Sequence, residues 1–262
     1  PISGSTNAVV LGKASVTVTG NGNTLTYNGS SQSVSGYTLS GLVGSDIDSL
    51  TLTGVSASGA SATNVGTATN TVSGTNSNYT LNTVNGTLTI NPAPLGIEVY
   101  GTYNGTTSYT NGTGDAVITL TGLVGSDLGK NGVTAAVNSP NVSANGTNFV
   151  GSITSSAFTV GNYALYDTTS TVAKYNAAAG NTQNVVTLSK APLGINLNAT
   201  YNGSDSYTST IKTNGLVGSD VTPGVASVTI NSANVASNTS NYIKTVTGAS
   251  GVNDTNLLNN YY

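Results

Sequence analysis

Carboxylates, hydroxyls, amines and amides carry all the chemistry this chain can offer. It has eight Asp, one Glu (Glu98), six Lys and 14 Tyr, but no His, Cys or Arg. Without imidazole it lacks the commonest general base and metal ligand, and without Cys it has neither a thiolate nucleophile nor disulfides. Four chemistries remain: paired-carboxylate hydrolysis, oxygen-ligated calcium, sugar stacking on Tyr rings, and an intramolecular Lys–Asn crosslink.

Spacing tests each of these. Asp46, Asp127 and Asp220 each close the hexamer Gly-Leu-Val-Gly-Ser-Asp, which occurs unchanged at residues 41–46, 122–127 and 215–220. A Tyr-Asn-Gly turn precedes every hexamer, beginning at Tyr27, Tyr103 and Tyr201, by 14, 19 and 14 residues. Two anchors recurring in one order mean three copies of one unit. One carboxylate per copy, at the same place in separate units, cannot act as a hydrolytic pair, so no enzyme activity is expected. Only the first copy adds a nearby acid, Asp48. The Asp residues are therefore expected to cap turns, with no metal or cofactor. The Tyr rings are expected to be buried at equivalent positions, each hydroxyl bonded to backbone. Lys13 and Lys190 sit at equivalent joints, but a crosslink also needs a buried acid beside the pair, and acids are scarce.

Charged residues make up 6% of the chain and the net charge is −3, against roughly 25% charged residues in ordinary soluble proteins. No basic patch exists to neutralise phosphates, which argues against a nucleic-acid partner. No stretch has the apolar length of a membrane-spanning helix, so membrane insertion is not expected. Eleven Asn-X-Ser/Thr sequons are present, among them Asn28, Asn78, Asn85, Asn104 and Asn202. These five are candidate glycosylation positions, although Asn-Gly pairs also serve as turns.

The elements that must position these residues read as strands. Residues 15–19 alternate with period two, as a half-buried strand should. Residues 37–42, 49–53 and 66–72 are further candidates, and 78–81 with 86–90 are predicted to form a hairpin tipped at Val84, Asn85 and Gly86. No 12-residue window has a helical period. Pro92 and Pro94 mark a stiff connector, and Pro192 marks its cognate. Residues 6–11 match the stretch before Lys190 and are read as a closing strand. The expected organisation is 1–12, the closing strand of a preceding unit or a donor strand; 13–92, the first repeat; 93–191, the second, with insertions at 111–114 and 167–180; and 192–262, the third, without a closing strand.

At these residues the chain resembles the YDG and MBG repeat domains of large bacterial surface adhesins, including filamentous-haemagglutinin-like proteins of two-partner secretion. The match is carried by Thr-Tyr-Asn-Gly, Gly-Leu-Val-Gly-Ser-Asp, the run from Asn78 to Ile90 and the Ala-Pro-Leu joints. The resemblance implies mostly β domains strung along an extracellular stalk at the bacterial surface, with no catalytic residue to carry over.

The fold expected is all-β: a tandem array of small antiparallel β-sandwich domains, Ig-like or β-grasp-like. The function expected is a structural spacer in a secreted adhesin or fibre. Its partners would be neighbouring repeats or subunits of the same fibre, with cell-surface glycans or matrix as further candidates. Two alternatives stand beside it. A fibre or surface-layer subunit would assemble by strand donation, and a carbohydrate-binding module would show exposed aromatic platforms.

Overall fold

The computed structural model describes residues 9–165, 184–221, 224–248 and 257–262. Residues 6–8 of the expected closing strand and the insertion at 167–180 lie outside them. The described residues form strands, turns and single turns of 3-10 helix, with no α-helix. Abundant Thr and Val, which suit a pleated surface, and positive-φ Gly at the turns explain this. Contacts divide the chain into two compact units. The first comprises Pro1–Ala93 with Val124–Ser126 and Gly161–Tyr163; the second comprises Pro94–Leu123, Asp127–Val160 and Ala164–Tyr262.

In the first unit, Ala14–Gly20 lies between Tyr37–Ser40, antiparallel, and Tyr79–Val84, parallel. Its alternation puts Val16 and Val18 inward, onto Leu52, Val72 and Tyr79. A second sheet places Gly86–Asn91 between Asn23–Thr26, parallel, and Gly66–Asn70, antiparallel. The expected hairpin is thus not formed. Tyr79–Val84 and Gly86–Asn91 pair in different sheets, because the chain breaks at Asn85, whose side chain accepts from the Val72 amide at 3.0 Å. Gly86 passes so close to Asn21 that a Cβ there would lie 2.1 Å from its carbonyl oxygen. Residues 49–53, expected as a strand, form none. Leu52 alone is buried there, and its amide is held by the Tyr37 hydroxyl.

In the second unit, Ala93–Thr102 pairs antiparallel with Ala116–Thr121 and parallel with Asn184–Ser189. Val133–Val137 lies between Ser108–Thr110 and Val150–Ser155. The third copy supplies a sheet in the order Gly194–Leu197, Ser206–Asn214, Val225–Ile230, Ile243–Thr247. The expectation of antiparallel sheets needs correction, since at least three strand pairs among the described residues are parallel. Each parallel pair joins distant stretches of chain, as parallel pairing requires.

Candidate functional site

Each Tyr-Asn-Gly is a self-contained turn. The Asn28, Asn104 and Asn202 side-chain oxygens accept from the amide two residues on, at 2.9, 2.9 and 2.8 Å. Gly29, Gly105 and Gly203 have φ of 79°, 71° and 77°, which a side chain would strain. The turns project their tyrosines very differently, however. Tyr27 and Tyr103 are buried at 6% and 1% exposure, whereas Tyr201 is 61% exposed. The expectation of three equivalently buried rings therefore fails at Tyr201.

The reason lies in what buries the other two. Tyr27 meets Tyr163 edge-on at 5.4 Å, and Tyr103 meets Tyr261 edge-on at 5.2 Å. Each partner belongs to the next copy of the repeat. Tyr103 sits in one core cluster with Ala191, at the joint, and with Ile211, Ala226, Val228, Val246 and Tyr261 of the third copy. The ring is thus a core residue of the copy that follows it. Among the described residues no further copy stands beyond Tyr201.

The hexamers complete the contact. The second Gly of the hexamer has φ near 60° in every copy: 62° at Gly44, 57° at Gly125 and 62° at Gly218. A Cβ at Gly125 would lie 2.8 Å from the Gly29 Cα, and one at Gly218 would lie 2.7 Å from the Gly105 Cα. At Gly44 and at Gly203 a Cβ would meet nothing within 4 Å. The hexamer of one copy is thus pressed backbone to backbone on the turn of the copy before it, at two places.

Two of the three Asp residues, Asp46 and Asp220, accept hydrogen bonds from tyrosine hydroxyls. The Asp220 carboxylate accepts from the hydroxyls of Tyr103 at 2.6 Å and Tyr261 at 2.9 Å. The Tyr261 oxygen accepts in turn from the Val217 amide at 2.9 Å. Burial, with Asp220 as the hydroxyl's acceptor, holds the Tyr261 pKa well above the usual phenol range. In the first copy Asp46 accepts from Tyr79 at 3.0 Å and the Val43 amide donates to Tyr79 at 3.1 Å. That half-site matches the one at Asp220, without the incoming ring. Asp127 is paired with Lys130 at 2.8 Å.

A third contact recurs and was missed in the sequence. The Asn before each partner Tyr reaches back to an Asn-Val pair of the preceding copy. Asn162 accepts from the Val65 amide at 3.1 Å and donates to Asn64 at 3.0 Å. Asn260 accepts from the Val142 amide at 2.8 Å and donates to Asn141 at 3.0 Å. The Asn-Tyr dipeptides recur visibly in the sequence, but their Asn-Val partners are too common a pair to notice.

The other candidates are placed as follows. Lys13 and Lys190 each donate at 2.7 Å to a backbone carbonyl three residues before the partner Tyr, at Asn76 and Leu258, so both serve as turn clamps. The Asn104 and Asn202 amide groups donate to Ser108 and Ser206, which engages the nitrogen a glycan would use. Asn28, Asn78 and Asn85 are exposed. Among the described residues, no three acids lie together as metal ligands, and no helix is long and apolar enough to cross a membrane.

No family model matches the chain, and no curated protein or solved structure matches it.

An open feature also lies in the second unit. A groove of about 880 Å³ is lined by Leu193, Ile195, Leu197, Tyr201, Tyr242 and Ile243, among others. Tyr242 is 61% exposed.

Proposed function

We propose that the chain is a run of structural repeats in an extracellular fibre or adhesin stalk, holding an adhesive region away from the bacterial surface. In this reading the repeats are small β-sandwich-like domains in tandem. The observation that carries it is the joint formed twice, at Tyr27–Tyr163 and at Tyr103–Tyr261 with Asp220. Its carboxylate, aromatic and glycine parts are all used in holding one copy to the next. The resemblance to YDG and MBG repeats agrees with this. So does the sparsely charged surface, which hydrates through Ser, Thr and Asn. Neighbouring repeats are the first partners implied.

The test is single-molecule stretching of the chain between its two ends. Sequential unfolding events of similar contour length, one per repeat, are expected. A single event spanning the whole chain would defeat the spacer reading.

The exposed Tyr201 and Tyr242 favour a second reading, a carbohydrate-binding platform. Against it, the counterparts Tyr27 and Tyr103 are consumed in joints. Saturable binding of a soluble glycan, lost in Tyr242→Ala, would favour the platform.

A further inference from the structure

The groove in the second unit lies where the second copy holds a strand. Residues 93–105 and 191–203 align without a gap through Ala-Pro-Leu-Gly-Ile to Thr-Tyr-Asn-Gly. In the second copy, Ile97 to Thr102 pair in parallel with Asn184–Ser189. The corresponding stretch is Ile195 to Thr200. It leaves the strand conformation after Leu197, and its Ile195 and Leu197 are half-buried where Ile97 and Val99 are 1% exposed. The second copy also holds its strand by side-chain amides. Asn145 brackets Leu188, donating to its carbonyl at 2.8 Å and accepting from its amide at 2.9 Å. Asn238, Asn145's counterpart, lines the groove and is exposed.

The chain carries a segment that matches the strand this groove lacks among the described residues. Asn7-Ala8-Val9-Val10-Leu11-Gly12-Lys13-Ala14 aligns with Asn184-Val185-Val186-Thr187-Leu188-Ser189-Lys190-Ala191, keeping the Asn, one Val, the Leu and Lys-Ala. In the second copy the buried positions are Asn184, Val186 and Leu188. Val9, Val10 and Leu11 are 82%, 92% and 88% exposed and lie in no strand. A run of exposed apolar side chains facing no partner is a feature that calls for one.

We propose that the groove takes residues 7–12 of a second copy of this chain as a parallel strand, with Val9 and Leu11 inward. Strand addition of this kind satisfies backbone groups along an open edge, and alternate side-chain pockets set its register. This seating also brings the open halves of the joint together. It carries Lys13 and Ala14 of the incoming copy to the places of Lys190 and Ala191. The incoming Asp46, Tyr79, Gly44 and Asn78 then stand to Tyr201, Gly203 and the Asn234-Val235 pair as the third copy's residues stand to the second. Each of these groups is the open half of a joint whose ring pair, glycine contact and Asn-Val contact are closed twice among the described residues, and whose Tyr-to-Asp bond is closed at Asp220. Gly44 and Gly203 face empty space, Tyr201 is exposed, and Val235 is 58% exposed. Strand and joint are separate observations that specify one head-to-tail arrangement. The proposal rests on the structural-repeat reading but has its own readout, association, which the stretching experiment does not measure.

The test is sedimentation velocity on the full chain over a concentration series, with a labelled peptide of residues 6–13 as a second probe. The chain is expected to associate head to tail, and the peptide to bind saturably and compete that association away. Leu11→Asp alters an exposed side chain outside every strand, so it should preserve the β circular dichroism spectrum and abolish self-association while still binding peptide. Asn238→Ala and Tyr201→Ala should each weaken association about tenfold or more. A chain that stays monomeric to about 1 mM, the weak limit of useful affinity, would overturn the proposal. So would association untouched by Leu11→Asp, or a groove that binds a glycan and not the peptide.

Discussion

The Tyr103 hydroxyl donates to the Asp220 carboxylate at 2.6 Å across 117 residues of sequence. The two residues are the anchors of successive copies. Each lies in a motif that recurs three times, and the bond runs from one copy's turn to the next copy's hexamer. Tyr261, edge-on to the Tyr103 ring, shares the same carboxylate oxygen.

Tyr103→Phe should lower the unfolding free energy by about 1–2 kcal/mol, the low end for a hydrogen bond to a charged group, because Asp220 is partly exposed. Asp220→Asn should cost a similar amount, and the double variant should cost clearly less than the sum. Urea titrations of the four chains measure this. Strict additivity would mean the hydroxyl and the carboxylate act independently.

The burial contrast makes a larger difference. Tyr103→Ala should destabilise by about 3–5 kcal/mol, as for other buried aromatics. Tyr201→Ala should stay within about 0.5 kcal/mol in the dissociated chain, as for surface changes. Thermal unfolding at low protein concentration compares them directly.

Glycine substitutions separate conformation from packing. Gly44, Gly125 and Gly218 share the same left-handed backbone, so Ala costs about 1–2 kcal/mol at each for that alone. At Gly125 and Gly218 the new Cβ also meets the facing glycine backbone, which should add about 1–3 kcal/mol. Denaturant midpoints should therefore fall distinctly less for Gly44→Ala than for the other two.

Asn184→Ala should be among the most costly polar substitutions. The side chain is buried and brackets Val150, accepting from its amide at 2.7 Å and donating to its carbonyl at 2.9 Å. Both backbone groups would lose their partner, at about 1–3 kcal/mol each. Asn238→Ala, exposed in the isolated chain, should leave the melting temperature unchanged.

Alkaline pH should weaken the second unit. Burial raises the Tyr109 pKa to about 12, and Tyr261 is shifted in the same direction. A phenol whose pKa is raised on folding keeps its proton in the native state after the unfolded chain has released it. Stability is then fully present below about pH 10, the unfolded phenol value, and declines as pH rises toward the folded values. Replacing Tyr109 by Phe should flatten that decline. Chemical denaturation at pH 8, 10 and 11 provides the measurement.

Much of the architecture can be read from the sequence by itself. Three identical hexamers establish which residues are equivalent, and period-two runs such as residues 15–19 identify strands. The absence of His and Cys narrows the chemistry to carboxylates and tyrosines. What a period cannot express is whether a contact closes within one copy or between two. Tyr27 and Tyr103 each recur ahead of a hexamer either way, and only the folded chain reveals that each packs into the copy after it. The same limit applies to the Asp residues, whose acceptor role depends on a ring arriving from elsewhere. It applies equally to Tyr79–Val84 and Gly86–Asn91, which local alternation suggests as a hairpin. Their partners are chosen by competition with distant strands, Ala14–Gly20 and Asn23–Thr26, and long-range pairing leaves no local mark in the sequence.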